Sequence, residues 1–519
     1  MTKTPQSEAQ APDAASQLVY PADPADGATE ATYARNAFAP DTATSQLSYT
    51  SARVARRLYN RYTAPAGNAC QVSGYYTDWS QYDGRLDGNT DNSAAGRGVD
   101  LMLLDPYAYD RLAIGFAGIV GDQGEKAQTI ARAAADFGRT PDQATFADSW
   151  GDVLSYRNCG FDGWVSNDVV PMFQQSRAQG VLGGLRQLQA QNPSLKLAIS
   201  IGGWTMSQAF HGLAASPARR AVFCRSVVDL FERFPMFSEV DLDWEYPGAP
   251  GNTGNDYDDQ DGANFAALIT ALTQALRAAG REDVTISVAA SANVNDLRQA
   301  NLPGLISAGV TGIHLMTYDF FGTPWAPALA HHTNLHDVDP AAASGFSVDR
   351  AVDYLRQTGV PLEQVHIGYA AYSRNAQNAN VTQFSPLAGT YAPDGDVATG
   401  TFESGTTEWY DTIYNYLDLE NQCGRNGFTL YTDPVADADF LYNAATGLFM
   451  SLDTPRTVKA KGEYVRKNGL GGLFTWTIDM DNGVLVNAAR EGLGHALTQT
   501  AVDMTPFYVA GNQGPDAGE

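Results

Sequence analysis

In Val240-Asp241-Leu242-Asp243-Trp244-Glu245-Tyr246-Pro247, apolar and acidic residues alternate strictly from Val240 to Glu245. A strand places alternate side chains on one face. Asp241, Asp243 and Glu245 therefore point one way, and Val240, Leu242 and Trp244 the other. Three carboxylates this close cannot all ionise cheaply, so at least one holds a proton near neutral pH. Taken alone, the spacing fits an acidic strand at a sheet edge or a metal site as well as it fits catalysis.

The flanking sequence supplies a context for this strand. Short apolar runs recur at 71–76, 111–119, 196–203, 238–245, 283–290, 312–319, 364–370 and 470–477. Helix-like stretches lie between them at 181–190, 218–233, 262–280, 347–358 and 455–468. Such alternation means parallel strands joined by crossover helices. Eight strands close a (β/α)₈ TIM barrel. In a barrel, Val240, Leu242 and Trp244 meet the helices and the three acids face the lumen. Glu245 then stands at the C-terminal mouth, where an acid can protonate a glycosidic oxygen. Barrels that use acids to hold metals gather them from different strands and add Lys or His bases, and no such base follows here.

Other strand ends share that mouth. Strand three closes with Ser200-Ile201-Gly202-Gly203-Trp204, whose glycines let a ligand approach the backbone. Strand six closes with Met316-Thr317-Tyr318-Asp319, strand eight carries Trp476, and strand one ends Tyr75-Tyr76 with Trp79 close behind. Aromatic residues beside acids at several mouths suit a site that stacks sugar faces. Two segments, about 120–180 and about 371–450, exceed ordinary connections and read as structured insertions over that mouth.

Residues 1–46 read as a flexible arm, poor in apolar periodicity. Val54, Leu58 and Tyr62, four apart, predict a short amphipathic helix in a lead-in over 47–70. The barrel then takes 71–370 and 451–500, the second insertion 371–450, and a tail 501–519. The formal charge of −25 argues against nucleic acid or an anionic membrane as partner. No stretch approaches the ~20 apolar residues of a membrane span. Cys70, Cys159, Cys224 and Cys423 form no CxxC pair and read as buried free thiols, with one disulfide left open. The N-terminus shows no secretory signal, so the chain is cytosolic, was separated from its leader, or leaves the cell by another route.

From about 71 to 495 the chain resembles the chitinases of glycoside hydrolase family 18. Their DxxDxDxE signature is met by Asp241, Asp243 and Glu245, with Ser238 where the first Asp is usual. Ser200, Gly202 and Gly203 match the family's SxGG, Met316, Tyr318 and Asp319 its MxYD, and Trp476 its strand-eight Trp. The 371–450 segment resembles the α+β insertion domain of the deep-cleft members, with Tyr372 and Arg374 matching YxR. The block WGDVLSYRNCGF at 150–161 is not general to the family. With the missing leader, it is similar to leaderless chitinases that accompany bacterial insecticidal toxin complexes.

The resemblance implies a (β/α)₈ barrel with an α+β insertion between strands seven and eight, acting on chitin or chitooligosaccharide without metal or cofactor. It implies Glu245 as acid and base, Asp243 holding the substrate acetamido group, Asp241 sharing a proton with Asp243, and Tyr318 donating to the acetamido oxygen. Trp476, Tyr75 and Met316 line the innermost sugar site. Asp319, Tyr372 and Arg374 contact substrate, and Trp79, Trp204 and Trp325 are stacking platforms. The lost Asp at 238 removes one deep carboxylate. Alternatives are an endo-β-N-acetylglucosaminidase acting on N-glycans, a chitin-binding lectin, or a structural subunit of a toxin assembly. The expected location is extracellular, reached without a recognisable signal peptide, with an assembly partner in the toxin-like case.

Overall fold

The computed structural model describes residues 58–82, 97–338, 346–392, 400–401, 404–419 and 421–514. Eight strands, Gln71–Thr77, Arg111–Ile119, Lys196–Gly202, Phe237–Asp243, Thr285–Ser291, Gly312–Met316, Val365–Ala370 and Gly472–Trp476, coincide with the eight apolar runs. Each pairs in parallel with the next, and the eighth returns to the first with Trp476 opposite Tyr75. The barrel is closed. The five expected helices are present as Gly180–Gln191, Pro217–Arg233, Asp261–Ala278, Val348–Gln357 and Pro455–Asn468. Their starts follow from local chemistry. Ser216 accepts from the Arg219 N–H ahead of Pro217, and Thr454 and Thr457 exchange a reciprocal pair of bonds ahead of Pro455.

Strand four behaves as its alternation demands. Val240 and Leu242 are fully buried. Trp244 packs between Phe210, stacked at 5.6 Å, and Phe265 at 5.3 Å, both on surrounding helices. Burial of side chains this size stabilises the fold by roughly 1.5–3 kcal/mol each. That packing holds the acidic face inward.

Both long segments are structured. The first carries an antiparallel strand, Ala144–Phe146, on the upper end of strand two, and helices Ala127–Phe137, Ser149–Val153 and Val169–Met172. Phe137, Phe146, Phe173 and Phe234 pin it to the barrel through ring contacts of 4.4–6.2 Å. The second builds a five-stranded antiparallel sheet in the order Thr406–Glu408, Tyr372–Ala376, Leu448–Leu452, Ala438–Asn443, Thr429–Asp433. Phe440 and Phe449 on this sheet share a small core with Phe321 and Leu329 from the loop after strand six. The insertion is thereby fastened to one side of the mouth.

The lead-in departs from expectation. Residues 1–57 lie outside the described residues, and so do the arm and the first part of the expected helix. Arg61–Thr63, where that helix was to end, is a strand paired antiparallel with Ala496–Gln499. Leu58 is buried, and its N–H donates to the Asn482 carbonyl. Long-range pairing with the C-terminal region satisfies the backbone at Leu58 and Arg61–Thr63, so these residues present a strand and not a helix face. The tail likewise packs down: Phe507 is buried, and Asn512 bonds to the insertion sheet beside Tyr431. All four cysteines are free. Cys159 and Cys224 are buried as expected, whereas Cys70 is half-buried and Cys423 is exposed. No helix among the described residues is long and apolar enough to cross a membrane.

Candidate active site

The acidic face of strand four forms a column through the lumen. At its base Glu239 pairs with Arg111 from strand two and accepts from Thr285 Oγ1 at 3.2 Å. Glu239 shares the parity of Asp241, so a deep carboxylate is present despite Ser238. The expected loss of one is corrected by the neighbouring residue. The strand pairing shifts register at Leu197/Ala198, beside Ser238.

Asp241 is completely buried and fully bonded. Its Oδ2 accepts from Tyr75 Oη and Ser200 Oγ, both at 2.8 Å. Its Oδ1 accepts from Ser287 Oγ at 2.7 Å, with His314 Nδ1 3.3 Å away. Burial opposes the charge, but the bonds from His314, Ser287 and Ser200 outweigh it and hold the carboxyl below the ordinary carboxylate range. Asp243, one pleat higher, is different. Its Oδ1 is buried without a hydrogen-bond partner. Burial first, then the charges of Glu245 and Asp241, push its carboxyl well above the ordinary range.

Glu245 follows the end of the strand and is 8% exposed. Burial, with a smaller push from Asp319 against a bond from Tyr246, brings it up to about 7. It therefore holds a proton at the pH where an acid is needed. Ser207 fixes its backbone: the Glu245 N–H donates to Ser207 Oγ at 3.0 Å, and that oxygen lies 3.1 Å from the Asp243 carbonyl. Gly202 makes room for this junction. Its φ is 115°, and a Cβ there would lie 2.2 Å from the Asp243 carbonyl oxygen.

Aromatic rings complete the inner pocket. Trp476 is half-buried, stacked on Phe116 at 5.3 Å and 19°, and 5.7 Å from the Tyr75 ring. Tyr318 lies over Gly368, where a Cβ would come within 2.5 Å of its ring. Burial and the charges of Asp243, Asp319 and Glu245 keep the Tyr318 phenol protonated. Met316 is half-buried at the end of strand six.

Asp319, Tyr372, Arg374 and Trp325 form a second group on the insertion side. Asp319 Oδ1 accepts from Tyr372 Oη at 2.8 Å and from Arg374 Nε at 2.7 Å. Burial disfavours its charge, yet Arg374 and His332 hold it well below the usual carboxylate range. The Arg374 guanidinium lies 5.3 Å from the Trp325 ring and 5.4 Å from that of Tyr372. Trp79, Trp204 and Trp325 are 43%, 48% and 57% exposed, free to meet a ligand. Trp204 stands 6.5 Å from Tyr246, and Trp79 lies on the turn after strand one. Trp409 is buried and presents no platform.

Several residues of the site were not singled out in the sequence. His314 shares a strand face with Met316 and Tyr318, a signal the alternation carries. Ser287 has the same kind of signal. Phe116 lies in a register irregularity between Ile114 and Ala117, which breaks simple alternation. Among the described residues one group, His211, Asp258 and Asp261, brings potential metal-ligand atoms within 4.8 Å of one another. There Asp261 bonds His211 through Oδ1 and the Gly248 and Asp258 N–H groups through Oδ2, which ties down the loop after strand four.

The sequence pattern of the glycosyl hydrolases family 18 matches residues 71–481. Chitinase 2 of Yersinia entomophaga is 43% identical over 520 residues, spanning 93% of this chain and 81% of that protein. Chitinase 1 of the same organism is 41% identical over 521 residues, spanning 95% of each. A solved chitinase structure, fitted into the structure of the Yersinia entomophaga toxin complex, superposes with a TM-score of 0.87 at 41% identity, over 93% of this chain and 96% of that one. By its barrel, its insertion and its acidic strand, the chain belongs to glycosyl hydrolase family 18.

Proposed function

We propose that this enzyme is a chitinase that cuts β-1,4 linkages between N-acetylglucosamine units with retention, using the substrate's acetamido oxygen as nucleophile. The observation that carries the reading is Asp243 Oδ1, a buried acceptor without a partner two residues before Glu245, whose carboxyl burial pushes up to about 7. A buried acceptor left unpaired is costly, and a substrate N–H relieves that cost. An acetamido group brings that N–H together with the carbonyl oxygen that attacks.

Glu245 gives its proton to the glycosidic oxygen as the bond from that oxygen to the anomeric carbon breaks. The acetamido oxygen bonds to the same carbon and forms an oxazolinium, whose positive charge Asp243 balances as a carboxylate. Tyr318 donates to the acetamido oxygen and orients it, and Trp476 supplies the apolar floor. Water then adds to the anomeric carbon. Glu245 takes the water's proton and is restored, while the acetamido group is released. This scheme departs from the two-carboxylate route of most glycosidases.

Mass spectrometry of products from chitohexaose, fully deacetylated chitosan and cellohexaose tests the reading. Cleavage confined to chitohexaose is expected. Efficient cleavage of either polymer lacking acetamido groups would overturn it. Release of N-glycans without cleavage of chitohexaose would favour an endo-β-N-acetylglucosaminidase.

We also propose an assembly partner and a place outside the cell. The likeness to a chitinase fitted into a toxin complex, over nearly the whole of both chains, supports the first. Chitin's insolubility supports the second. Size-exclusion chromatography alone and with candidate toxin subunits tests assembly, and fractionation of the producing cells tests export.

A further inference from the structure

The Asp241 carboxylate has four acceptor positions, and four donors reach them. Tyr75 and Ser200 supply Oδ2. Ser287 also lies 2.8 Å from Glu239 Oε1, but Arg111 and Thr285 already serve Glu239, so the Ser287 proton goes to Asp241 Oδ1. The fourth position faces His314 Nδ1, at 3.3 Å. That nitrogen is also 2.8 Å from Tyr75 Oη. Tyr75 has one proton and spends it on Asp241, so its oxygen accepts, and His314 Nδ1 must be the N–H donor to both. The opposite nitrogen, Nε2, is buried without a partner, with the Phe474 ring 5.1 Å and the His366 ring 5.7 Å away. This pocket gives a second ring proton no acceptor, which fixes the tautomer with its hydrogen on Nδ1.

We infer that His314 is a positioning residue: its Nδ1–H completes the donor shell of Asp241 and favours that carboxyl as the anion beneath Asp243. The proton of the column is then biased toward Asp243 and Glu245. When substrate N–H reaches Asp243, that proton has one destination, Glu245, which needs it to act as the acid. The charge of Asp241 favours the proton on Asp243 in the empty site, and the substrate N–H, by favouring the Asp243 carboxylate, releases that proton to Glu245. This rests on the reading of Asp243 given above. The charged and titratable groups around the ring are Asp241 and Asp243 of strand four, Glu239 with Arg111 at the base, Tyr75 of strand one, Tyr318 of strand six and His366 of strand seven.

The test is the pH dependence of kcat and KM on chitotetraose for the wild type, His314→Phe, His314→Asn and Asp243→Asn. His314→Phe keeps the ring and loses the donor. Asp241 then accepts a proton more readily, and protonation of both aspartates, which removes the charge opposite the oxazolinium, occurs at higher pH. The acid limb of kcat moves up by about one pH unit with KM nearly unchanged. His314→Asn places an amide N–H near the Nδ1 position and restores the wild-type limb. An unshifted limb in His314→Phe, or an equal shift in His314→Asn, would overturn the proposal. Should His314→Phe not fold, nitrogen-15 NMR of histidine-labelled wild type decides: a His314 ring with its only proton on Nδ1 supports the proposal, and a bare Nδ1 refutes it. A fully active Asp243→Asn would instead sink the acetamido mechanism, whereas an inactive one beside an unshifted His314→Phe sinks only the role of His314.

Discussion

Arg374 donates from Nε to Asp319 Oδ1 at 2.7 Å, which ties the first strand of the insertion to the mouth of strand six. The pair has an electrostatic consequence at the acid, because the charge of Asp319 is one of the influences raising Glu245. Arg374→Ala leaves that charge unbalanced and frees Trp325 from its stacked cation. The alkaline limb of kcat/KM moves upward by roughly half a pH unit, and KM for chitotetraose rises about fivefold. A pH–rate series over the two proteins measures both effects. A downward shift of the limb would show that Arg374 does not screen Asp319 from Glu245.

Glu245 yields a prediction on stability as well as activity. Glu245→Gln cannot supply the proton, so turnover falls by about a hundredfold or more while substrate binding persists. The folded carboxyl sits at about 7 against an ordinary 4.5. Below pH 4.5 it is neutral whether the chain is folded or not, and its burial carries no charge penalty. Between 4.5 and 7 the folded protein keeps a proton that the unfolded chain releases, so stability is lost as pH rises, and above 7 the loss is complete. Gln carries no such penalty. Its stability advantage over wild type should be near zero at pH 4 and reach roughly 3 kcal/mol at pH 8. Urea titrations at the two pH values check this, and an equal advantage at both would contradict a raised carboxyl.

Much of this site was legible because a strand has a period of two. Alternation alone orients Asp241, Asp243 and Glu245 into the lumen, and it also orients Glu239, which the family motif's interest in position 238 obscured. The same logic links His314 to Met316 and Tyr318. Phe116 was less accessible, since a register shift near Gly115 breaks the count. Ser207 was hidden for another reason: it lies in the loop after strand three and reaches the Asp243–Glu245 backbone only after the barrel closes. The lead-in misled because Leu58 and Tyr62 fit a helical spacing while their partners are more than four hundred residues away in sequence. Local pattern cannot report such partners.

Asn60 tests how firmly those distant partners hold. Its Nδ2 donates to the Val502 carbonyl at 2.9 Å, and its Oδ1 accepts from the Ala501 and Val502 N–H groups at 2.6 and 2.9 Å. Its own N–H donates to Asn487 Oδ1 at 3.0 Å. Asn60→Ala strips the side-chain bonds and leaves buried backbone groups unpaired, at a cost of about 2–4 kcal/mol. The urea midpoint should fall, with kcat on chitotetraose unchanged at 25 °C. An unaltered midpoint would mean that this N- to C-terminal junction contributes little to the global fold.

The stereochemistry of the product separates the acetamido route from its rival without altering the protein. Attack by the acetamido oxygen inverts the anomeric carbon once, and water opening the oxazolinium from the opposite face inverts it again. The first product is therefore the β-anomer, before mutarotation equilibrates it. An inverting enzyme needs a second carboxylate about 6.5–9.5 Å from the acid to hold water on the far face of the sugar. Asp241 is unsuited to that task, with all its acceptor positions filled below the sugar site. Asp319 is engaged by Arg374 and Tyr372 and held far below the pKa of a useful base. Asp243 remains, next on the same face of the strand and suited to the acetamido N–H rather than to a water. Proton NMR of the earliest products from chitotetraose should show excess β-anomer, and an initial excess of α-anomer would rule out the substrate-assisted route.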